Sequence, residues 1–343
     1  MDGATQQTER AFPPNPDIPG GELNTHRYNF IDYATQGYLA VVGLIILFLG
    51  AEVQHRWLLL CAHVACMGAV HALIRSHAAH PKNRPLDLLR HFYPIIFYTG
   101  FYRETGELNH VFVDHYLDGF FASIDRAVFG FQPSAFLMER LPHTWLSELL
   151  YASYFSYYIM IVGMGLALYF QGKRQFFRYV SVASFVFYCC YLTYIFVPVV
   201  GSRVFWAPVD GLPQEALFDF YPLSFPEAVQ AGPFFHIMGF IYKHFEAIGA
   251  AFPSSHVAIA LCTLYFSWTY LPRIRHLHTV VVILLCIATV YCRYHYVVDI
   301  FAGAITGIVL LLIGDWLFWR CQGIPRTEDI DVEHSPHSSE SSS

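Results

Sequence analysis

Near its C-terminal end the chain reads YCRYHYVVDIFAG (291–303), with Arg293, His295 and Asp299 inside an otherwise apolar stretch. Ionisable groups in a bilayer are costly unless they are paired or face a wet cavity. His295 and Asp299 stand four residues apart, as do Gly303 and Gly307 beyond them. On a helix all four fall along one face. A carboxylate at that offset can accept a hydrogen bond from one imidazole nitrogen, fixing the tautomer and leaving the other nitrogen free to attack or to carry a proton. A pair that only caps a helix end would use the same residues, so this stretch alone leaves both readings open. The Gly-x-x-x-Gly face favours close helix packing and turns the pair into the bundle.

Two further segments carry chemistry of the same kind. In AFPSSHVAIA (251–260), Pro253, Ser254 and Ser255 open an apolar run and His256 falls in its first turn. The free N–H groups of such a terminus suit an anion, although ordinary serine capping would use the same residues. In VPVVGSRVF (197–205), a helix breaks at Pro198 and Gly201 and Arg203 emerges. Its planar guanidinium can give phosphate two hydrogen bonds at once, and a snorkelling arginine is the plainer alternative. Two histidines, an aspartate, two arginines and a helix N-terminus then meet at one membrane face. Together they point to a site that processes an anion, with phosphate the natural candidate.

The elements that must position these residues are helices. Of the 343 residues, the apolar ones gather into charge-poor runs at 34–51, 57–74, 149–172, 179–200, 254–271, 276–292 and 297–319. Each is about long enough to cross the ~30 Å hydrocarbon core. The stretch 88–102, with Arg90 and Pro94, is an eighth and weaker span. The first run lies behind a polar stretch, unlike a signal peptide. Basic residues cluster at 75–90, 173–178, 273–275 and Arg320; placed in the cytoplasm, they require eight spans with both termini inside. The connections 103–147 and 201–253 and the turn at His295 then share the non-cytoplasmic face. Residues 111–131 have the periodicity of an amphipathic interfacial helix, and 201–253 is long enough for a lid or binding element. The fold class expected is all-α: a polytopic transmembrane domain over 31–320, between a polar N-terminus (1–30) and an acidic, Ser-rich tail (321–343), both expected to be disordered.

The eight cysteines lie mostly in apolar runs with no Cys-x-x-Cys pair, so they read as core residues rather than disulfides or a zinc site. The tyrosines at 151, 154 and 158 read as packing or an interfacial belt. Among eighteen histidines, His71, His77 and His80 form the one suggestive cluster, yet no H-x-x-x-H pair or adjacent histidines occur. A histidine-box metalloenzyme is therefore a minor alternative, as is a transporter, since no internal repeat is evident. A net charge of −6, carried partly by the tail, gives no sign of nucleic-acid binding.

In order and spacing the motifs resemble the type 2 phosphatidic acid phosphatase superfamily, whose pattern is Lys-x6-Arg-Pro, Pro-Ser-Gly-His and Ser-Arg-x5-His-x3-Asp. Pro253-Ser254-Ser255-His256 matches the second motif, with Ser255 in place of glycine, and His295-x3-Asp299 matches the end of the third. In the first motif Arg203 stands for the arginine, while Phe196 and Val204 occupy the lysine and proline positions. In the third, Thr289 replaces the arginine, and Arg293 is near but at a different offset. The His-Tyr-x-x-Asp form is more similar to the branch with the inositol phosphorylceramide synthases, which transfer a headgroup between lipids. The resemblance covers about 88–319 and implies a six-helix core with the first two spans added. It further implies that His295 is the nucleophile, Asp299 its orienter and His256 the acid–base. Arg203, Arg293 and the N–H groups at Ser254 and Ser255 would hold the phosphate of a membrane lipid, with no metal or other cofactor. Hydrolysis and transfer both remain open.

Overall fold

The structure is a computed structural model that describes residues 27–205 and 225–322. The polar N-terminus, the acidic tail and part of the long connection (206–224) lie outside the described residues. Each of the eight apolar stretches forms a helix, and among the described residues no strand occurs beyond a single bridge between Val199 and Ala250. The eight are α1 (Phe30–Leu49), α2 (Arg56–Ala79), α3 (Arg84–Leu108), α6 (Thr144–Gln171), α7 (Lys173–Phe196), α10 (Ser255–Tyr270), α11 (Arg275–Tyr291) and α12 (Val297–Gln322). Four short helices lie in the two long connections: α4 (Asp118–Phe129) and α5 (Pro133–Arg140) in the first, α8 (Glu227–Gln230) and α9 (Pro233–Phe245) in the second. The helix expected within 111–131 is α4, shorter at Asp118–Phe129, which buries Asp118, Phe121, Ala122 and Asp125 and leaves Phe120 and Val128 exposed.

Five helices (α1, α2, α6, α7 and α12) are long and apolar enough to cross a membrane, and α11 is a shorter apolar helix. In a bilayer interior every backbone polar group must be satisfied within the protein, which a helical bundle achieves. The bundle is multi-pass. α10 sits centrally, against α6, α7, α11 and α12. α1 packs on α2 and α7, and α2 on α3, outside the α3/α6/α7/α10/α11/α12 group.

Two basic residues that the sequence placed among cytoplasmic loop charges are in fact buried structural links. Arg90 of α3 donates to Asp32 of α1 at 2.6 and 2.9 Å, and the Tyr93 hydroxyl donates to the same carboxylate at 2.7 Å. Arg178 of α7 donates to Asp315 of α12 at 2.7 and 3.0 Å and to the hydroxyls of Tyr265 and Tyr270. A buried charge without a partner would be severely destabilising, so each arginine is matched by one carboxylate.

The candidate His71, His77 and His80 are spread over separate partners: Tyr28, Asp87 and the Ser76 carbonyl. Among the described residues no three His, Cys, Asp or Glu side chains gather as a metal-holding group.

Candidate active site

The α10 and α12 helices meet at their N-terminal ends because their small residues permit it. A Cβ on Gly303 would fall 2.5 Å from the Ser254 carbonyl oxygen, and one on Gly307 would fall 2.7 Å from Ala258 Cα. The Gly-x-x-x-Gly stripe thus presses α12 onto the Pro-Ser-Ser-His segment, and Ser254 N–H donates to the Asp299 carbonyl at 3.1 Å. Two motifs far apart in sequence become one surface.

At that junction His295 Nε2 lies 3.2 Å from Ser254 Oγ, and its Nδ1 lies 3.4 Å from Asp299 Oδ2. The same Asp299 oxygen accepts the Tyr296 N–H at 3.0 Å. Asp299 therefore braces the start of α12 and faces the imidazole at once, although the Nδ1 contact is an approach rather than a hydrogen bond. Burial drives the His295 imidazole down to about 3, and the Arg203 charge adds to the effect. A neutral imidazole of this kind has a lone pair available for attack or for proton transfer. The His256 ring centroid is 5.6 Å from that of His295.

The helix N-terminus differs from the expected anion cradle. Ser255 N–H donates to the Tyr194 hydroxyl at 3.2 Å, and that hydroxyl donates to the Pro253 carbonyl at 3.1 Å. Val257 N–H goes to Ser254 Oγ, the cap. With Ser254 N–H held by Asp299, these amides are committed to packing the segment against α7 and α12 rather than displayed to a ligand.

The two arginines part company. Arg203 is buried in a short 3-10 turn (Ser202–Phe205), ion-paired with Glu246, and its guanidinium lies 5.1 Å above the Tyr242 ring. Together with His256 and His295 it lines a small cavity of about 20 Å³. Arg293 has φ +61 and sends its side chain elsewhere, 5.4 Å over Phe225 and 3.9 Å from Glu139. The structure brings His256, His295, Asp299, Ser254 and Arg203 together and leaves Arg293 out.

Several residues that position this cluster escaped the sequence motifs. Asp118 of α4 accepts Val200 and Gly201 N–H, both at 2.9 Å, and the Tyr296 hydroxyl at 3.0 Å. It therefore ties the Arg203 break to the His295 turn. Burial pushes the Asp118 carboxyl up to about 6 despite the donors around it. Asp125 accepts the Val297 and Val298 N–H groups at 2.8 and 3.1 Å, capping α12 from another helix. The signal was present in DGFFASID, where the two carboxylates share one helical face with Phe121 and Ala122. Gly201, at φ +98, packs against the Tyr294 carbonyl, an approach only glycine allows.

The tyrosine stripe of α6 divides its work. Tyr151 packs against Phe235 and Tyr294, and the Tyr154 hydroxyl reaches His256 Nε2 at 3.0 Å. Tyr158 lines a second cavity of about 340 Å³, which shares Tyr102, Tyr242, Glu246 and His256 with the small one. Its other walls include Ile95, Ile161, Val162 and Phe187.

A PA-phosphatase related-family protein of Dictyostelium discoideum is 41% identical over 64 residues, which is 19% of this chain and only 12% of that protein's length. No solved structure matches the chain. The sequence model of the PAP2 superfamily matches residues 120–313, from α4 through most of α12 and including every residue of the histidine cluster. A match over more than half of the chain, with the motif residues in one cluster, establishes that the protein belongs to the PAP2 superfamily.

Proposed function

We propose that the protein is a membrane lipid-phosphate phosphatase or phosphotransferase working through a phosphohistidine at the non-cytoplasmic face. Membership of the superfamily supports a phosphatase-type action on lipid phosphates in general. The observation that carries the finer reading is the pairing of His256 and His295, 5.6 Å apart between ring centroids, with Asp299 behind one and Arg203 on the same cavity wall.

In the first step His295 Nε2 attacks phosphorus, the bond from phosphorus to the lipid oxygen breaks, and His256 donates a proton to that oxygen. Asp299 holds the ring and stabilises its positive charge. In the second step His256 takes a proton from water or an alcohol, whose oxygen attacks phosphorus as the phosphorus–nitrogen bond breaks. Such acid–base assistance is commonly worth ~10²–10⁴ in rate. Arg203 meets the spread negative charge, the main demand of phosphoryl transfer. The small cavity, about 20 Å³, has room for little more than one water. Phosphate therefore enters by replacing the Glu246 carboxylate on Arg203. Nucleophile, acid–base and charge all come from side chains, and the steps call for no metal.

A second reading, headgroup transfer as in inositol phosphorylceramide synthases, is favoured by the cavity of about 340 Å³ beside His256. It offers an acceptor alcohol a mostly apolar place beside His256. Purified protein incubated with labelled phosphatidic acid, diacylglycerol pyrophosphate and phosphatidylinositol, with and without ceramide, distinguishes the outcomes. Free phosphate means hydrolysis and a new phospholipid means transfer; no turnover of any of them sinks both readings.

A further inference from the structure

Tyr154 on α6 and Tyr242 on α9 form a hydroxyl pair behind His256. The Tyr154 hydroxyl is 3.0 Å from His256 Nε2 and 2.6 Å from the Tyr242 hydroxyl, and Tyr154 is completely buried. Tyr242 is fixed in turn: its ring lies flat on Tyr294, with centroids 4.2 Å apart and planes 6° apart, beneath the Arg203 guanidinium. The other imidazole nitrogen, His256 Nδ1, is buried and has no hydrogen-bond partner among the described residues. One nitrogen is held and the other is not.

We propose that Tyr154, backed by Tyr242, is a positioning residue that accepts the Nε2–H of His256, turns its own proton to Tyr242, and reserves Nδ1 for the reacting oxygens. The inference rests on the reading of His256 as the acid–base of phosphoryl transfer. Its logic is proton balance. As acid, the imidazolium carries both N–H bonds, gives the Nδ1 proton to the leaving oxygen and keeps the Nε2 proton on Tyr154. As base, the neutral ring takes the proton of the incoming water or alcohol back at Nδ1. The Nε2 proton never moves, so one nitrogen handles both steps and the ring need not flip between them. The 2.6 Å oxygen–oxygen separation is at the short end for two hydroxyls and suits a chain polarised along its length.

Because Tyr242 belongs to α9, the relay also makes the acid–base depend on the long connection between α7 and α10. α9 carries Tyr242 four residues before Glu246, and the two side chains line the same wall of both cavities. The residue that occupies Arg203, Glu246, therefore directly follows the helix that completes the support of His256. Other charged and titratable groups face His256 as well: His295, Arg203 and Glu246, with the hydroxyls of Tyr102 from α3 and Tyr157 from α6. The test therefore compares variants rather than reading one profile.

Full-length protein in detergent is assayed on whichever of phosphatidic acid, diacylglycerol pyrophosphate and phosphatidylinositol the wild type turns over fastest. Tyr154→Phe, which removes one hydroxyl and keeps the ring, lowers kcat about tenfold with KM unchanged, the size of one ordinary hydrogen bond. It also displaces the pH–rate profile. Tyr242→Phe costs less, and its effect disappears in the Tyr154→Phe background, because Tyr242 acts only through Tyr154. Tyr151→Phe, a neighbour in the same aromatic cluster, leaves the profile in place. A wild-type pH profile in Tyr154→Phe, or independent additive losses in the double variant, overturns the proposal. A wild type inert on all three lipids removes the functional reading itself, a distinct result.

Discussion

The Tyr296 hydroxyl donates to Asp118 Oδ1 at 3.0 Å, joining the residue next to His295 to a helix that lies some 180 positions earlier in the chain. Through Val200 and Gly201 N–H the same carboxylate grips the segment that presents Arg203. Asp118→Asn turns an acceptor into a group that sets its amide N–H against those donors, and activity falls because the Arg203 break and the His295 turn lose their common anchor. The pH dependence has a definite sign. The Asp118 carboxyl is raised from 3.8 to about 6, so the stability it contributes is complete below 3.8 and is lost as pH rises through about 6. The melting-temperature advantage of wild type over Asp118→Asn therefore shrinks between pH 4 and pH 7; a gap that widens over that range contradicts this account.

His295→Ala abolishes turnover while the protein still inserts and elutes as wild type. In the wild type, labelled phosphate from the substrate becomes bound to protein by a linkage stable to alkali and labile to acid. Near-normal turnover in the variant would remove His295 as nucleophile.

Arg203 and Arg293 separate cleanly. Arg203→Ala lowers kcat/KM by ~10²–10³, the usual cost of losing one group that stabilises transition-state charge. Arg293→Ala lowers thermal stability, since its guanidinium packs on Phe225 near Glu139, and changes kcat/KM much less. Equal kinetic losses in the two variants would place Arg293 at the phosphate after all.

The packing of α10 on α12 is testable away from the chemistry. Gly307→Val forces a side chain into a space where even a Cβ would sit 2.7 Å from Ala258 Cα. Overpacking of this kind costs about 1–3 kcal/mol, and here it also moves His256 away from His295, so activity drops with stability. Gly163→Ala on α6 meets nothing within 4 Å and is neutral or slightly stabilising. Denaturation midpoints in one detergent compare the two.

Much of this molecule was legible in the sequence because its signals are local. Long apolar runs can only be helices in a membrane, and all eight became helices. The four-residue spacing of Asp299, Gly303 and Gly307 puts them on one face of α12 whatever surrounds them, while His295 lies in the turn just before that helix. Other features depend on which residues arrive from elsewhere. Arg90 and Arg178 look like loop charges until Asp32 and Asp315 are brought to them. Ser255 N–H looks free for an anion until Tyr194 takes it.

What the sequence determined by itself, then, was the helical bundle and the Asp299–Gly303–Gly307 face of α12, because periodicity and spacing act within a single helix. The tertiary structure alone decided that Arg203 faces the histidine pair while Arg293 turns away, and that Glu246 occupies Arg203. It also decided that Asp118, Asp125, Tyr154 and Tyr242 hold the site in place. These are contacts between residues tens to hundreds of positions apart. No local pattern encodes them, since each depends on how closely two helices approach and on the direction a buried polar group must turn to find its partner.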